Sequence, residues 1–196
     1  MLRGGGTAAG ALQAAERAAA DGAAALLSFG LAGGLDPRCR PGAIVIPRAV
    51  LDGDAAIAAD PALNDALGGA TADLLFGAAS VVGGAAEKRR LFARTGAVAA
   101  DLESGAVARA ARRRGLPFAA LRVVCDPAER SVPAAALAAL DAGGRIRTVG
   151  VLAALLADPR QIAPLLALAR DAAAARRALV GCARRLRAAG DHPLEA

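Results

Sequence analysis

Residues 101–127 read DLESGAVARAARRRGLPFAALRVVCDP, and this stretch decides the fold. Residues 101–114 predict a helix. Asp101 stands where an N-cap is favoured, and Gly115, with Pro117 two residues on, stops the last turn. Residues 118–124 (FAALRVV) then predict a buried strand, because an apolar run of this length between turn signals suits a sheet interior. Cys125-Asp126-Pro127 follows as a turn, since proline denies the chain immediate regular structure.

The alternation extends outward from that unit. Upstream, residues 7–20 (TAAGALQAAERAAA) predict an alanine-rich helix, and residues 23–29 (AAALLSF) run apolar into a glycine turn over residues 30–34. Residues 42–48 (GAIVIPR) predict a short β-branched strand. A short helix is expected over residues 61–67, and a short strand over residues 78–82 (AASVV). Residues 85–93 (AAEKRRLFA) predict a helix and residues 96–100 (GAVAA) extended chain. Downstream, a helix is expected from about Pro133, and residues 145–156 and 160–189 are expected as the final helices. Helices and strands in alternation argue for an α/β sandwich with helices on both faces of the sheet. No repeat, linker or composition break divides residues 1–196, which are expected to form one domain.

Composition narrows the function classes. Hydrophobic residues make up 56% of the chain but aromatics only 2%, with no Trp or Tyr. That leaves little surface for stacking bases and argues against a single-stranded nucleic-acid binder. The formal net charge of +6 comes almost entirely from arginine and is compatible with a solvated surface or with attraction to phosphate or anionic lipid. Cys39, Cys125 and Cys182 are widely spaced and odd in number, and the single His192 lies near the end of the chain. No metal is implied, no organic cofactor is expected, and a reduced, cytoplasmic compartment is the simplest account. The longest uncharged apolar run, residues 22–35, is too short for a membrane span, and no signal peptide is expected from the opening residues.

Three places can carry chemistry, since ligands of open α/β sheets bind beyond the carboxyl ends of strands. The first is SFGLAGGLDPRCRPGAIVIP, residues 28–47, where glycines at 30, 33 and 34 allow close approach of a ligand to the backbone. Its spacing matches neither the dinucleotide nor the phosphate-loop pattern, and the pattern alone favours a tight strand-to-loop turn with no ligand. The second is Asp101-Leu102-Glu103-Ser104. Here Asp101 serves as a helix cap and Glu103 as a first-turn acid, or Glu103 faces a cleft and accepts hydrogen bonds from a vicinal diol. The third is Cys125-Asp126-Pro127, where Asp126 is a turn residue or a general acid.

In order, these segments resemble the signature blocks of the purine nucleoside phosphorylase/nucleosidase superfamily. Its glycine turn G-[SIL]-[AC]-G-G is matched by Gly30-Leu31-Ala32-Gly33-Gly34, followed by Leu35-Asp36-Pro37 and by Arg40-Pro41-Gly42-Ala43-Ile44-Val45-Ile46. Its [VAE]-[DE]-M-E-[SGA] block is matched by Ala100-Asp101-Leu102-Glu103-Ser104, and its R-x-[VI]-[SC]-D strand end by Arg122-Val123-Val124-Cys125-Asp126. Within the superfamily the chain looks most like the hopanoid-associated phosphorylases, bacterial proteins thought to release adenine from adenosylhopane. The resemblance implies a three-layer αβα sandwich with a central mixed sheet. It implies Asp126 as the catalytic group at purine N7, and Glu103 as acceptor of the ribose 2′- and 3′-hydroxyls. Leu102, where the family usually has Met, would pack on the sugar, and Ala32, Gly33 and Gly34 would line the pocket. Inorganic phosphate is the possible co-substrate, no nucleic-acid partner is implied, and a homo-oligomer with a possible membrane-surface association is expected.

Two departures bear on this resemblance. Members begin with a further strand that supplies phosphate contacts or the acid that activates water. This chain opens at the family's second element, so a sheet position is expected to stand empty. Phosphorylases also place Arg and Ser around the glycine turn, where this chain has Ser28 and Leu31, leaving Arg38, Arg40 and Arg122 as phosphate candidates. A competing class is a non-catalytic protein that docks on anionic lipid or nucleic acid through Arg170, Arg176, Arg177, Arg184, Arg185 and Arg187. At 100° per residue those arginines spread around a helix and form no single stripe.

Overall fold

The computed structural model describes residues 2–132 and 162–190. The helices expected from Pro133 and over residues 145–156 lie outside them. The described elements run α1 (Ala8–Ala20), β1 (Leu26–Gly34), β2 (Ile44–Val45), β3 (Pro47–Asp52), β4 (Ala55–Ala58), α2 (Pro61–Ala66) and β5 (Ala72–Gly77). Then come α3 (Ala85–Thr95), β6 (Ala99–Asp101), α4 (Ser104–Arg114), β7 (Phe118–Asp126) and α5 (Ile162–Gly190). The strands form a seven-stranded mixed sheet in the order β2-β7-β1-β6-β5-β3-β4. β1 runs parallel to β7, and β5 runs parallel to both β3 and β6, while β2, β4 and the β1–β6 contact are antiparallel.

β7 is the central element and is buried along nearly its whole length, as its apolar run requires. Alternate residues serve the two faces, by the period of two that a strand imposes. Phe118, Ala120 and Val124 join the core under α1 and α4, with Ala15, Ala108 and Ala111 from those helices. Leu121 and Val123 join a second cluster, where α5 contributes Ala175 and Cys182. Those two α5 residues lie seven apart, on one helix face. Arg170, Arg176, Arg177, Arg184, Arg185 and Arg187 are all exposed around that helix, as a solvated surface requires.

Three expectations are corrected. The glycine turn over residues 30–34 is strand, because β1 continues through Gly34, where it passes from β7 to β6. The strand expected over residues 78–82 belongs to residues 72–77 instead: Leu75, buried completely, anchors β5, and residues 78–84 are irregular. The strand expected over residues 42–48 is in fact two, and the second opens a hairpin that pairs β3 with β4. Its turn is Gly53-Asp54, with Gly53 at φ +62°, a left-handed geometry that favours glycine in tight hairpins.

β1 is asymmetric. Residues 26–32 pair with β7 on one side, whereas on the other β1 meets β6 only at Gly33 and Gly34. Among the described residues no strand covers the rest of that edge. Leu27 and Leu31 are 42% and 40% exposed there, although they lie in the middle of the sheet.

Candidate active site

Two charged side chains of β7 lie four residues apart, Arg122 at its midpoint and Asp126 at its carboxyl end, and each meets an opposite charge. Arg122 is 2% exposed and lies on the face under α4. Its Nε donates to Ser104 Oγ at 3.0 Å, and its Nη2 donates to Ser28 Oγ at 2.5 Å and stands 2.6 Å from Asp101 Oδ2. Its Nη1 reaches Glu103 Oε2 at 3.3 Å. Asp101 Oδ2 also accepts the backbone N–H groups of Glu103 and Ser104, at 3.2 and 3.0 Å. Asp101 therefore ends β6 and caps the start of α4 with its side chain, and α4 begins three residues later than the sequence suggests. A planar guanidinium suits this junction, since its fixed fork reaches several oxygens at once.

Glu103 stands in the bend between β6 and α4, with its side chain 21% exposed. Both of its oxygens are engaged. Oε2 faces Arg122, and Oε1 accepts the Gly6 N–H at 2.9 Å. The residue at 4 lies so near that a Cβ there would come within 2.7 Å of Oε1. A further donor at Glu103 would have to share or displace the Gly6 N–H on Oε1.

Asp126 closes the other end. Lys88, from α3, is completely buried and donates to Asp126 Oδ2, to the Pro127 carbonyl at 3.0 Å and to the Arg130 carbonyl at 3.1 Å. An ammonium has three N–H donors, and here each has an acceptor. Taking an ion of this kind out of water costs several kcal/mol, about the scale that full pairing can offset. Asp126 Oδ1 accepts the Cys125 thiol at 3.1 Å. Burial, and after it the Asp126 charge, pushes the Cys125 thiol far above its ordinary pKa, so it is no nucleophile at neutral pH.

Residues 30 and 33 of β1 face these two ends, and glycine is required at 30 and leaves room at 33. A Cβ on Gly30 would collide with Arg122 Nη1, and one on Gly33 would stand 3.3 Å from Asp126 Oδ1. Glycine at 33 keeps the β1 backbone open beside the Asp126 carboxylate. Gly34 is closed off, since a Cβ there would meet the Asp126 carbonyl and Val124 at 3.1 Å. Ala32 is 4% exposed and turns its side chain into the core under α1 and α4. Leu102 is half-buried in the bend beside Glu103. The structure thus gathers Glu103 and Gly30 around Arg122, and Gly33 and Gly34 around Asp126.

Arg38, Arg40 and Arg122 all bind protein carboxylates in this structure. Arg38 grips Asp36 with two nitrogens, an interaction that holds the Asp36 carboxyl below its ordinary pKa. Arg40 meets Glu129 at 3.1 Å on the surface, and Arg122 is committed as described. Sequence reasoning missed Lys88 as part of the site, and gave Ser28 and Ser104, which lie in the segments it singled out, no role beside Arg122. A signal for Lys88 was present: the chain has 23 arginines and this one lysine.

A cleft of about 530 Å³ opens beside Glu103 and Ser28. It runs along the unpaired edge of β1 between α1 and α5, and its walls are largely Ala and Leu, including Leu2, Ala11, Leu26 and Leu186.

The family model described as the Phosphorylase superfamily matches residues 2–74 and 70–157, most of the chain. The chain belongs to the Phosphorylase superfamily. Among solved structures it is similar to a putative methylthioadenosine nucleosidase from Weissella paramesenteroides, with 24% identity and a TM-score of 0.56 over 65% of this chain and 66% of that one. It is also similar to a 5′-methylthioadenosine/S-adenosylhomocysteine nucleosidase from Colwellia psychrerythraea in complex with adenine (18% identity, TM-score 0.57, 62% of each chain). A futalosine hydrolase mutant of Helicobacter pylori matches at 16% identity and TM-score 0.54, over 60% of this chain and 66% of that one. The chain spans just under two thirds of the length of these structures. They share its α/β fold around a mixed sheet. No curated protein sequence matches it.

Proposed function

We propose that this member of the superfamily cleaves the N-glycosidic bond of a 5′-substituted adenosine and releases adenine. One observation carries the reading: two carboxylates, Asp126 and Glu103, are each held by a buried cation and face glycines three residues apart on a single strand. Along an extended strand that offset spans about 10 Å, room for a base at one end and a sugar at the other.

The chemistry follows from the charges that develop. As the bond from C1′ to N9 breaks, its electron pair leaves with the purine and the ribosyl ring becomes cationic. A proton taken up from solvent lies between the Asp126 carboxylate and purine N7 and stays with N7, so that the base departs neutral. A positioned acid of this kind contributes about 10²–10⁴-fold in rate. Glu103 accepts the ribose hydroxyls in place of the Gly6 N–H, and its negative charge favours the cationic sugar. The oxygen of water then bonds to C1′ and gives a proton back to solvent, which balances the one taken up at N7 and completes hydrolysis. Water is the better-supported nucleophile, because Arg38, Arg40 and Arg122 are all occupied by carboxylates.

The 5′ substituent in this reading is a hydrocarbon, with adenosylhopane as the substrate and hopanoid biosynthesis as the setting. The lining beside Glu103 supports it, being mainly aliphatic, with Ala11, Ala15, Leu26 and Val107 among its residues. A substrate with such a tail would hold the protein at the surface of a membrane.

The test is adenine release from adenosylhopane and from 5′-methylthioadenosine, with and without phosphate, for the natural chain and for Asp126→Asn. Release that ignores phosphate and falls at least about 100-fold in the variant is the expected result. Release that requires phosphate would make the protein a phosphorylase, and release undiminished in Asp126→Asn would remove Asp126 from the chemistry. No release from either nucleoside would reject the reading.

A further inference from the structure

We propose that Lys88 is a positioning residue for Asp126, fixing which oxygen of the carboxylate meets the purine; this rests on the role given to Asp126 above. Lys88 takes Oδ2 and leaves Oδ1 with only the thiol of Cys125, a weak donor that a purine N–H can replace. Its other two bonds go to the carbonyls of Pro127 and Arg130, so the same ammonium holds the chain that leaves β7. The carboxylate is thereby fixed in both rotation and position.

The choice of lysine is itself informative. Elsewhere the chain places arginine at every cationic position, 23 times, and the neighbours Arg89 and Arg90 on α3 are exposed arginines. A guanidinium at 88 would bring five donors in a plane to a site with three acceptors, leaving buried N–H groups unpaired. Only a compact ammonium on a flexible stem satisfies this arrangement without excess donors.

A single lysine also permits a direct test. In protein labelled with ¹⁵N-lysine, one Nζ signal reports on this site alone. It is expected to exchange slowly with water in the natural chain and rapidly in Asp126→Asn. An Nζ that exchanges as fast as free lysine, or that ignores Asp126→Asn, overturns the pairing and the proposal with it. Kinetics provide the second arm. Lys88→Met is expected to lower kcat for adenine release about 100-fold while KM stays within about threefold, the scale that misplacing a reacting group produces. The double variant Lys88→Met/Asp126→Asn is expected to be no slower than Asp126→Asn alone, because Lys88 acts only through Asp126. A double variant slower by the product of both losses overturns the proposal. Should Lys88→Met melt at assay temperature, Lys88→Arg takes its place, with at least about a tenfold loss in kcat expected; full activity there also overturns the proposal. Active natural protein with multiplicative losses rejects Lys88 alone. Inactive natural protein with a protected Nζ rejects the functional reading, and the positioning role with it.

Discussion

The two ends of the candidate site solve one problem, holding a carboxylate beside β1, with different cations. At the Glu103 end a guanidinium ties together Ser28 of β1, Asp101 of β6, Ser104 of α4 and Glu103 itself. At the Asp126 end an ammonium from α3 touches one carboxylate and two carbonyls just beyond β7. The first arrangement joins four elements and is therefore part of the framework. The second grips one strand end, a carboxylate and the short run of backbone that follows it. Loss of Arg122 should damage the fold, whereas loss of Lys88 should fall mainly on the chemistry.

The largest effect expected from this contrast is on stability. Arg122→Met removes a buried cation and leaves Asp101 and Glu103 facing one another without it, and breaking such a pair costs about 3–5 kcal/mol. Urea unfolding followed by circular dichroism measures that loss. A change below about 1 kcal/mol would mean that the network is dispensable and that the two ends do not differ in kind.

A smaller effect separates the glycines. Gly30→Ala puts a methyl group against Arg122 Nη1, whose guanidinium is pinned by four side chains and cannot swing away. Overpacking of this kind costs about 1–3 kcal/mol. Gly33→Ala meets Asp126 Oδ1 at 3.3 Å, a contact that a shift of a few tenths of an ångström relieves. It should leave the midpoint of urea unfolding nearly unchanged. Equal losses at both positions would contradict the view that only the Arg122 end is rigid.

The sequence made some of this visible and concealed the rest for physical reasons. The unit of α4 and β7 was readable because its signals are local: a glycine stop, a proline beyond it and an unbroken apolar run. The three family blocks also pointed to Glu103 and Asp126, which are held in the two cation networks. β1 was cut short at Gly30 because glycine ordinarily marks a turn. Here glycines at 30 and 33 continue the strand: Arg122 occupies the space a side chain at 30 would need, and the Asp126 carboxylate stands close beside 33. β5 was misplaced because AASVV has the β-branched residues of a strand, while LLF, at residues 74–76, gains its partners only when β3 and β6 arrive on either side. Lys88 sits among charged residues on α3, and its burial depends on a carboxylate 38 residues away. No local pattern carries that information; the solitary lysine in an arginine-rich chain was the one trace of it.

The smallest expected effect concerns alkali and again divides the two ends. Only the Asp126 end holds a thiol, and Cys125 is kept protonated there first by burial and then by the Asp126 charge. With its folded pKa raised above the ordinary value of 9.0, the folded state binds this proton more tightly than the unfolded chain does. The stability this confers is complete below about pH 9 and declines as pH rises beyond it, by at most about 1.4 kcal/mol per pH unit for one group. The chain suits such a measurement, because it has no tyrosine and one lysine, leaving few other side chains to titrate in that range. Comparing urea unfolding at pH 8 and pH 10, Cys125→Ala should lose less stability than the natural chain. Asp126→Asn should fall between them, since it removes the charge but not the burial. An equally steep decline in Cys125→Ala would mean that the thiol ionises freely in the fold. The Asp126 end would then be open to water, and Lys88 alone would have to hold its carboxylate in place.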